Sequence, residues 1–162
     1  MTTGASATQV RWLSSPEQRS WRAWLSAGQL LQERLEKDLK SSHGLSMAEY
    51  EVMVRLSEAP GRRLRMSELA GRTLASKSRL SHQVSRMEEQ GLVRREECTE
   101  DRRGAFAVMT QEGWQTLVAA APDHVGSVRS WFVDAMTPAE FEQLGALCAK
   151  VVDRLQSSSA AD

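Results

Sequence analysis

The sequence predicts a mainly α-helical chain with one small β-hairpin, and three observations predict it. Apolar residues recur three and four positions apart over most of the chain, the spacing of helix faces. Helix-start signals recur at Ser46-Met-Ala-Glu49 and Thr137-Pro-Ala-Glu140, where a hydroxyl can accept from an amide and a carboxylate can reach back, and at Thr110, whose hydroxyl can cap a helix with Met109 and Trp114 as a staple. Between Gly91 and Thr110 alone the apolar period shortens to two, around a charged turn.

Residues 1–15 carry no helical period and read as a disordered or docking tail, although Trp12 and Leu13 would suit a neighbouring subunit. A long helix starts at Ser15-Pro16-Glu17, with proline near its first turn. Its apolar positions are Trp21, Trp24, Leu25, Leu31, Leu35 and Leu39, and it ends near His43-Gly44. At about 1.5 Å per residue it spans about 40 Å, more than one small domain can cover, so a partner helix from elsewhere is expected. The Ser46 box opens a second helix through Tyr50, Met53, Val54 and Leu56, which Ala59-Pro60-Gly61 stops. Arg62 to Arg65 is short and could be extended. Met66 to Thr73 forms a short third helix with Leu69 and Ala70 inward, and Leu74-Ala75 turns into a fourth.

That fourth helix is capped by Ser76 and ended by Gly91. Leu80, Val84 and Met87 line one face, at i, i+4 and i+7. The opposite face carries Ser78, Ser81, His82 and Ser85, flanked by Lys77, Arg79 and Arg86. Two helices joined by a tight turn, the second offering short polar side chains outward, form a helix-turn-helix. Leu92-Val93 then starts a strand, Asp101-Arg102-Arg103-Gly104 makes a projecting tip, and Ala105 to Met109 returns. Thr110 caps a helix whose apolar face is Trp114, Leu117, Val118, Ala121, Val125, Val128 and Phe132; Pro122 inside it should bend or interrupt it. The last helix follows Thr137 through Phe141, Leu144, Leu147, Cys148, Val151 and Leu155, and residues 157–162 read as a frayed tail.

A chain of 162 residues, 41% hydrophobic and 26% charged, is of ordinary globular composition and reads as one domain, or one domain with helical extensions. No run approaches the length of a membrane span, so no membrane partner is expected. The N-terminus lacks the basic start and apolar middle of a secretory signal. With Cys98 and Cys148 far apart, the expectation is a cytoplasmic protein with reduced thiols. The net charge is zero, yet residues 62–87 hold seven basic residues and one acid, leaving 14 basic and 20 acidic elsewhere. A basic block in an acidic body is the charge pattern of a polyanion binder. No Ser-His-Asp set, metal-ligand cluster or phosphate loop appears, so no enzyme activity, cofactor or metal is expected.

The run Met66-Ser-Glu-Leu-Ala70, Ser76-Lys-Ser-Arg-Leu80, Met87-Glu-Glu-Gln-Gly-Leu-Val93, Glu100-Asp-Arg-Arg-Gly104 and Met109-Thr110 resembles the MarR family of winged helix-turn-helix regulators. The resemblance covers roughly residues 17–156. It implies a homodimer, with residues 16–45 and 111–156 as a helical dimerisation region and residues 46–110 as the DNA-binding lobe. It puts the polar-faced helix in the major groove, with Ser76, Lys77, Ser78, Arg79, Ser81, His82, Ser85 and Arg86 as the pool of contacts. Its wing would be the hairpin with Asp101, Arg102 and Arg103 at the tip, Arg103 reaching the minor groove and Asp101 orienting it. It also places effector sites between the dimer helices and the DNA-binding lobe, where Trp21, Trp24, Trp114, His124 and Trp131 could gather around a small aromatic or anionic compound. One departure stands out: redox-sensing members carry their cysteine in the first long helix, which here has none.

Elementary chemistry supports the same picture. Hydroxyls donate to or accept from base edges, cations neutralise phosphates, and arginine suits a narrow, A·T-rich minor groove. The function expected is a homodimeric transcriptional regulator, acting as a repressor on a pseudo-palindromic double-stranded operator and released by a small ligand. The alternative is a winged-helix dimeric adaptor whose basic face meets another protein.

Overall fold

The computed structural model describes residues 10–73, 75–98 and 104–159. Helix α1 spans Ser15–His43 and starts where expected, on a capping box that sequence reading missed: the Glu17 amide donates to the Ser14 hydroxyl, which donates to the Glu17 carboxylate. It ends at Gly44, whose φ of 69° only glycine adopts readily and whose N–H donates to the Lys40 carbonyl. Helix α2, Met47–Ser57, starts on the expected Ser46–Glu49 box.

A single 3₁₀ turn leads to strand β1, Arg63–Arg65, then helix α3, Met66–Arg72, and helix α4, Lys77–Glu89. Strands β2, Val93–Glu97, and β3, Ala105–Met109, form the expected hairpin. The short stretch that could be extended does become a strand: β1 pairs antiparallel with β3 and makes a three-stranded sheet in the order β1-β3-β2. Helix α5, Gln111–Trp131, and helix α6, Pro138–Ser159, complete the chain.

Two expectations are corrected. Pro122 does not interrupt α5, which is helical from Gln111 to Trp131. Proline removes one amide donor, but Pro122 and Val118, four residues back, are exposed, so water can satisfy the freed carbonyl. The last helix also reaches Ser159, into the segment read as a frayed tail.

The core gathers Met53 and Leu56 of α2, Leu69 of α3, Leu80, Val84 and Met87 of α4, Leu64, Val93 and Ala107 of the sheet, and Leu39, Leu117 and Ala120 from the long helices. The predicted inner face of α4 is thus wholly buried. The long helices are different. Of α1 only Leu35 and Leu39 are buried, and α6 has no buried residue among those described. Trp21, Trp24 and Leu25 of α1 and Leu147, Val151 and Leu155 of α6 are exposed apolar surface. No helix among the described residues is long and apolar enough to cross a membrane.

Candidate nucleic-acid interface

Helix α4 is held by its ends and its inner face. The Arg79 amide donates to Ser76 Oγ at 3.2 Å, and after Gln90 the chain reverses through Gly91, φ 73°, with the Leu92 N–H on the Met87 carbonyl at 2.9 Å. With Leu80, Val84 and Met87 inside, helical geometry turns Lys77, Ser78, Arg79, Ser81 and His82 outward, and all five are exposed; Ser85 is half-buried. Among the described residues neither Lys77 nor Arg79 has an acidic partner, whereas the nearby Arg72 is paired with Glu68 at 2.8 Å.

The hairpin stands beside this face. Arg95 of β2 donates through Nη2 to the Ser81 carbonyl at 2.7 Å, and its own amide donates to Glu88 at 2.8 Å. These bonds fasten the hairpin to the outward helix. The Cys98 N–H donates to the Gly104 carbonyl at 3.0 Å and closes the hairpin across its turn. Cys98 itself is buried. Between α4 and the hairpin root lies an open groove of about 560 Å³ whose walls include Arg65, Ser67, Lys77, Ser81 and Arg95. The tip residues Asp101, Arg102 and Arg103 lie outside the described residues.

Arg86 is placed differently from the rest of the expected pool. Its Nη2 donates to Glu49 Oε1 of α2 at 3.2 Å, and the Glu49 side chain is 1% exposed. Glu49 Oε2 accepts the Ser46 amide and hydroxyl, both at 2.8 Å. Burial favours the neutral acid, but the Ser46 bonds and the nearby Arg86 and Lys40 charges outweigh it and hold the Glu49 carboxyl below the usual range.

This architecture has close counterparts. A family model described as the MarR family matches residues 43–104. The transcriptional regulator HosA of Escherichia coli is 30% identical over 133 residues, 82% of this chain and 96% of its own. AbsC, a MarR family transcriptional regulator from Streptomyces coelicolor, is 48% identical with a TM-score of 0.87, over 91% of this chain and 99% of its own. Sco3205 from the same organism, a MarR family regulator solved in complex with DNA, is 42% identical with a TM-score of 0.88, over 90% and 92%. The chain belongs to the MarR family of transcriptional regulators.

Within this MarR chain the residues expected around an effector lie in several places. Trp21 and Trp24 stack on each other, ring centres 5.4 Å apart, on the exposed face of α1. Trp131 donates through Nε1 to Asp38 at 3.1 Å and lies under the Arg34 guanidinium at 4.1 Å. Trp114 lies under Arg62 at 3.8 Å. His124 packs against the Tyr50 ring at 4.4 Å, beside a cavity of about 20 Å³ that also touches Asp38, His43 and Asp123. That volume suits one water molecule and is far below a small-molecule pocket. His43, in the last turn of α1, bridges helices, with Nε2 2.8 Å from Asp123 Oδ2 of α5. The bonds of Arg95 to Ser81 and Glu88 and of Arg86 to Glu49 also escaped sequence reading, because each joins residues of two different elements, whose approach no helical period marks.

His124 Nδ1 is buried with no hydrogen-bond partner among the described residues, and burial pushes the imidazole's pKa below its ordinary value. The unfolded chain therefore binds the proton more readily, and stability should fall as pH drops below about 6.5. His124→Phe keeps the ring against Tyr50 and removes the titration. Melting temperatures between pH 7.5 and 5.5 should fall less in His124→Phe than in the parent; equal falls would disprove the assignment.

Proposed function

We propose that the chain is a homodimeric, sequence-specific regulator that binds double-stranded DNA and represses by occupying a promoter. The observation that carries this is the outward face of α4: Lys77, Ser78, Arg79, Ser81 and His82 exposed together, with two cations lacking acidic partners among the described residues and a basic groove alongside. Such a face offers hydroxyls and an imidazole to base edges and cations to phosphates. The DNA complex of the 42% identical Sco3205 supports the reading. The exposed apolar faces of α1 and α6 support a second copy of the chain as their cover. Two α4 helices about 34 Å apart then read a pseudo-palindrome with half-sites one turn apart.

The wing assignment goes with this reading: Arg103 enters the minor groove, and Asp101 orients it by a charge-assisted bond. Release follows if a small aromatic or anionic ligand favours a dimer whose α4 helices no longer match the half-site spacing. Such a ligand would sit where a second chain completes the surroundings of Trp131 and His124.

The test is a binding titration against the promoter duplex beside the chain's own gene over a range of salt. Affinity should fall steeply as salt rises, because each phosphate contact releases counterions. Arg103→Ala should weaken binding about tenfold or more and leave the dimer intact; unchanged affinity would remove the wing from the interface. Salt-insensitive behaviour, or no preference for any duplex, would favour a protein-binding adaptor instead.

A further inference from the structure

The corner where α1, α2 and α4 meet is wired by charge. Glu36 of α1 accepts the Met47 amide, at the first residue of α2, at 2.7 Å. Lys40 of α1 closes its own helix end by donating to the Gly44 carbonyl at 3.0 Å. Two residues beyond Met47, Glu49 turns inward, spends one carboxylate oxygen on Ser46 and points the other at Arg86 of α4. The Arg86 side chain is 64% exposed, so solvent reaches it, but Glu49 at 1% is sealed. The cost of separation is therefore lopsided. A phosphate can replace Glu49 as a partner for Arg86, whereas Glu49 Oε1 has Arg86 as its hydrogen-bond partner and would be left charged and buried without it.

We propose that Arg86 is a positioning residue and not a contact to the duplex: the Glu49–Arg86 pair is a strut that fixes the pitch of α4 against the α1–α2 corner. This rests on the DNA-binding reading above. Arg86 lies in the last turn of α4, while Ser76 and the outward cations Lys77 and Arg79 lie at its start. A strut at one end governs where the other end points. Because α1 is the helix proposed to join the two copies, the strut links the dimer frame to the separation of the two reading helices.

The experiment uses the full chain and a duplex selected by the parent protein from a random pool, together with the same duplex carrying one extra base pair between half-sites. For Arg86→Gln we expect about a tenfold loss on the selected duplex, an unchanged dependence of log affinity on log salt, and a smaller preference between the two spacings. Lys77→Gln is the contrast: a lost phosphate contact should lower the salt slope by about 0.9 per protomer and leave the spacing preference in place. Glu49→Gln should behave like Arg86→Gln, and the double variant should be no worse than the poorer single one. A direct contact predicts otherwise, since Glu49→Gln would free Arg86 and hold or raise affinity. The proposal is overturned if Arg86→Gln lowers the salt slope as Lys77→Gln does, or loses no affinity. If the parent selects no duplex, the DNA-binding reading fails, and hydrogen exchange on the free protein decides the strut: faster exchange of α4 amides in both variants supports it, and unchanged exchange overturns it.

Discussion

Gly113→Ala is expected to cost about 3 kcal/mol of stability, at the upper end for overpacking. A Cβ at Gly113 would stand 2.1 Å from the Leu92 carbonyl oxygen and 3.0 Å from its carbon. Both are backbone, so no side chain can swing aside. The backbone cannot yield easily either. The Thr110 hydroxyl donates to the Gly91 carbonyl at 2.6 Å, and the Thr110 amide donates to that of Leu92 at 3.1 Å. The Gly113 amide donates back to Thr110 Oγ at 2.9 Å. The start of α5 is thereby pressed against the segment that leaves α4, and only a residue without a side chain fits between them. Thermal melting should show a midpoint lower by roughly 6–12 °C, taking about 2–4 °C per kcal/mol for a chain of this size. Gly126→Ala in the same helix is the control. Nothing lies within 4 Å of its Cβ position, so the gain in helix propensity should stabilise by about 0.5–1 kcal/mol. Equal effects of the two substitutions would show that the close approach at Leu92 is not real.

Ending the chain after Met136 is expected to give a folded monomer with at least a hundredfold weaker duplex binding. Helix α6 contributes no buried residue among those described, and one of its ties to the rest is the edge-on contact of Phe141 with Phe132, ring centres 5.6 Å apart. The lobe's core therefore keeps its side chains when α6 is removed. What is lost is the apolar stripe of Leu147, Val151 and Leu155, each about half exposed or more. Two reading helices in one dimer bind as a linked pair, and separating them forfeits an effective-concentration gain of about 10²–10⁴. Sedimentation and a binding titration check both halves. A truncated chain that still dimerises with undiminished strength would put the interface elsewhere.

The contrast between these two predictions shows what was legible in the residues. The cap at Thr110 could be read directly, since a hydroxyl before a helical period has few other uses. The reason Gly113 must be glycine could not, because the obstructing carbonyl belongs to Leu92, across the sheet. Likewise the helical period put Arg86 among the outward cations of α4. The period says which way a side chain leaves its own helix, and nothing about a buried carboxylate on another helix that draws it back.

The sequence by itself determined the order of helices, the caps at Ser46, Ser76, Thr110 and Thr137, the hairpin and the buried stripe of α4. All of these follow from forces acting within a few residues: backbone hydrogen bonds, hydroxyl caps and the period of apolar positions. The tertiary structure alone decided that β1 joins the sheet, that Arg95 locks the hairpin to α4, that Glu49 claims Arg86, and that Trp114 and Trp131 each take an arginine over the ring. Those outcomes depend on which distant groups compete for the same partner once the chain has folded, and a partner's distance in space leaves no periodic trace along the chain.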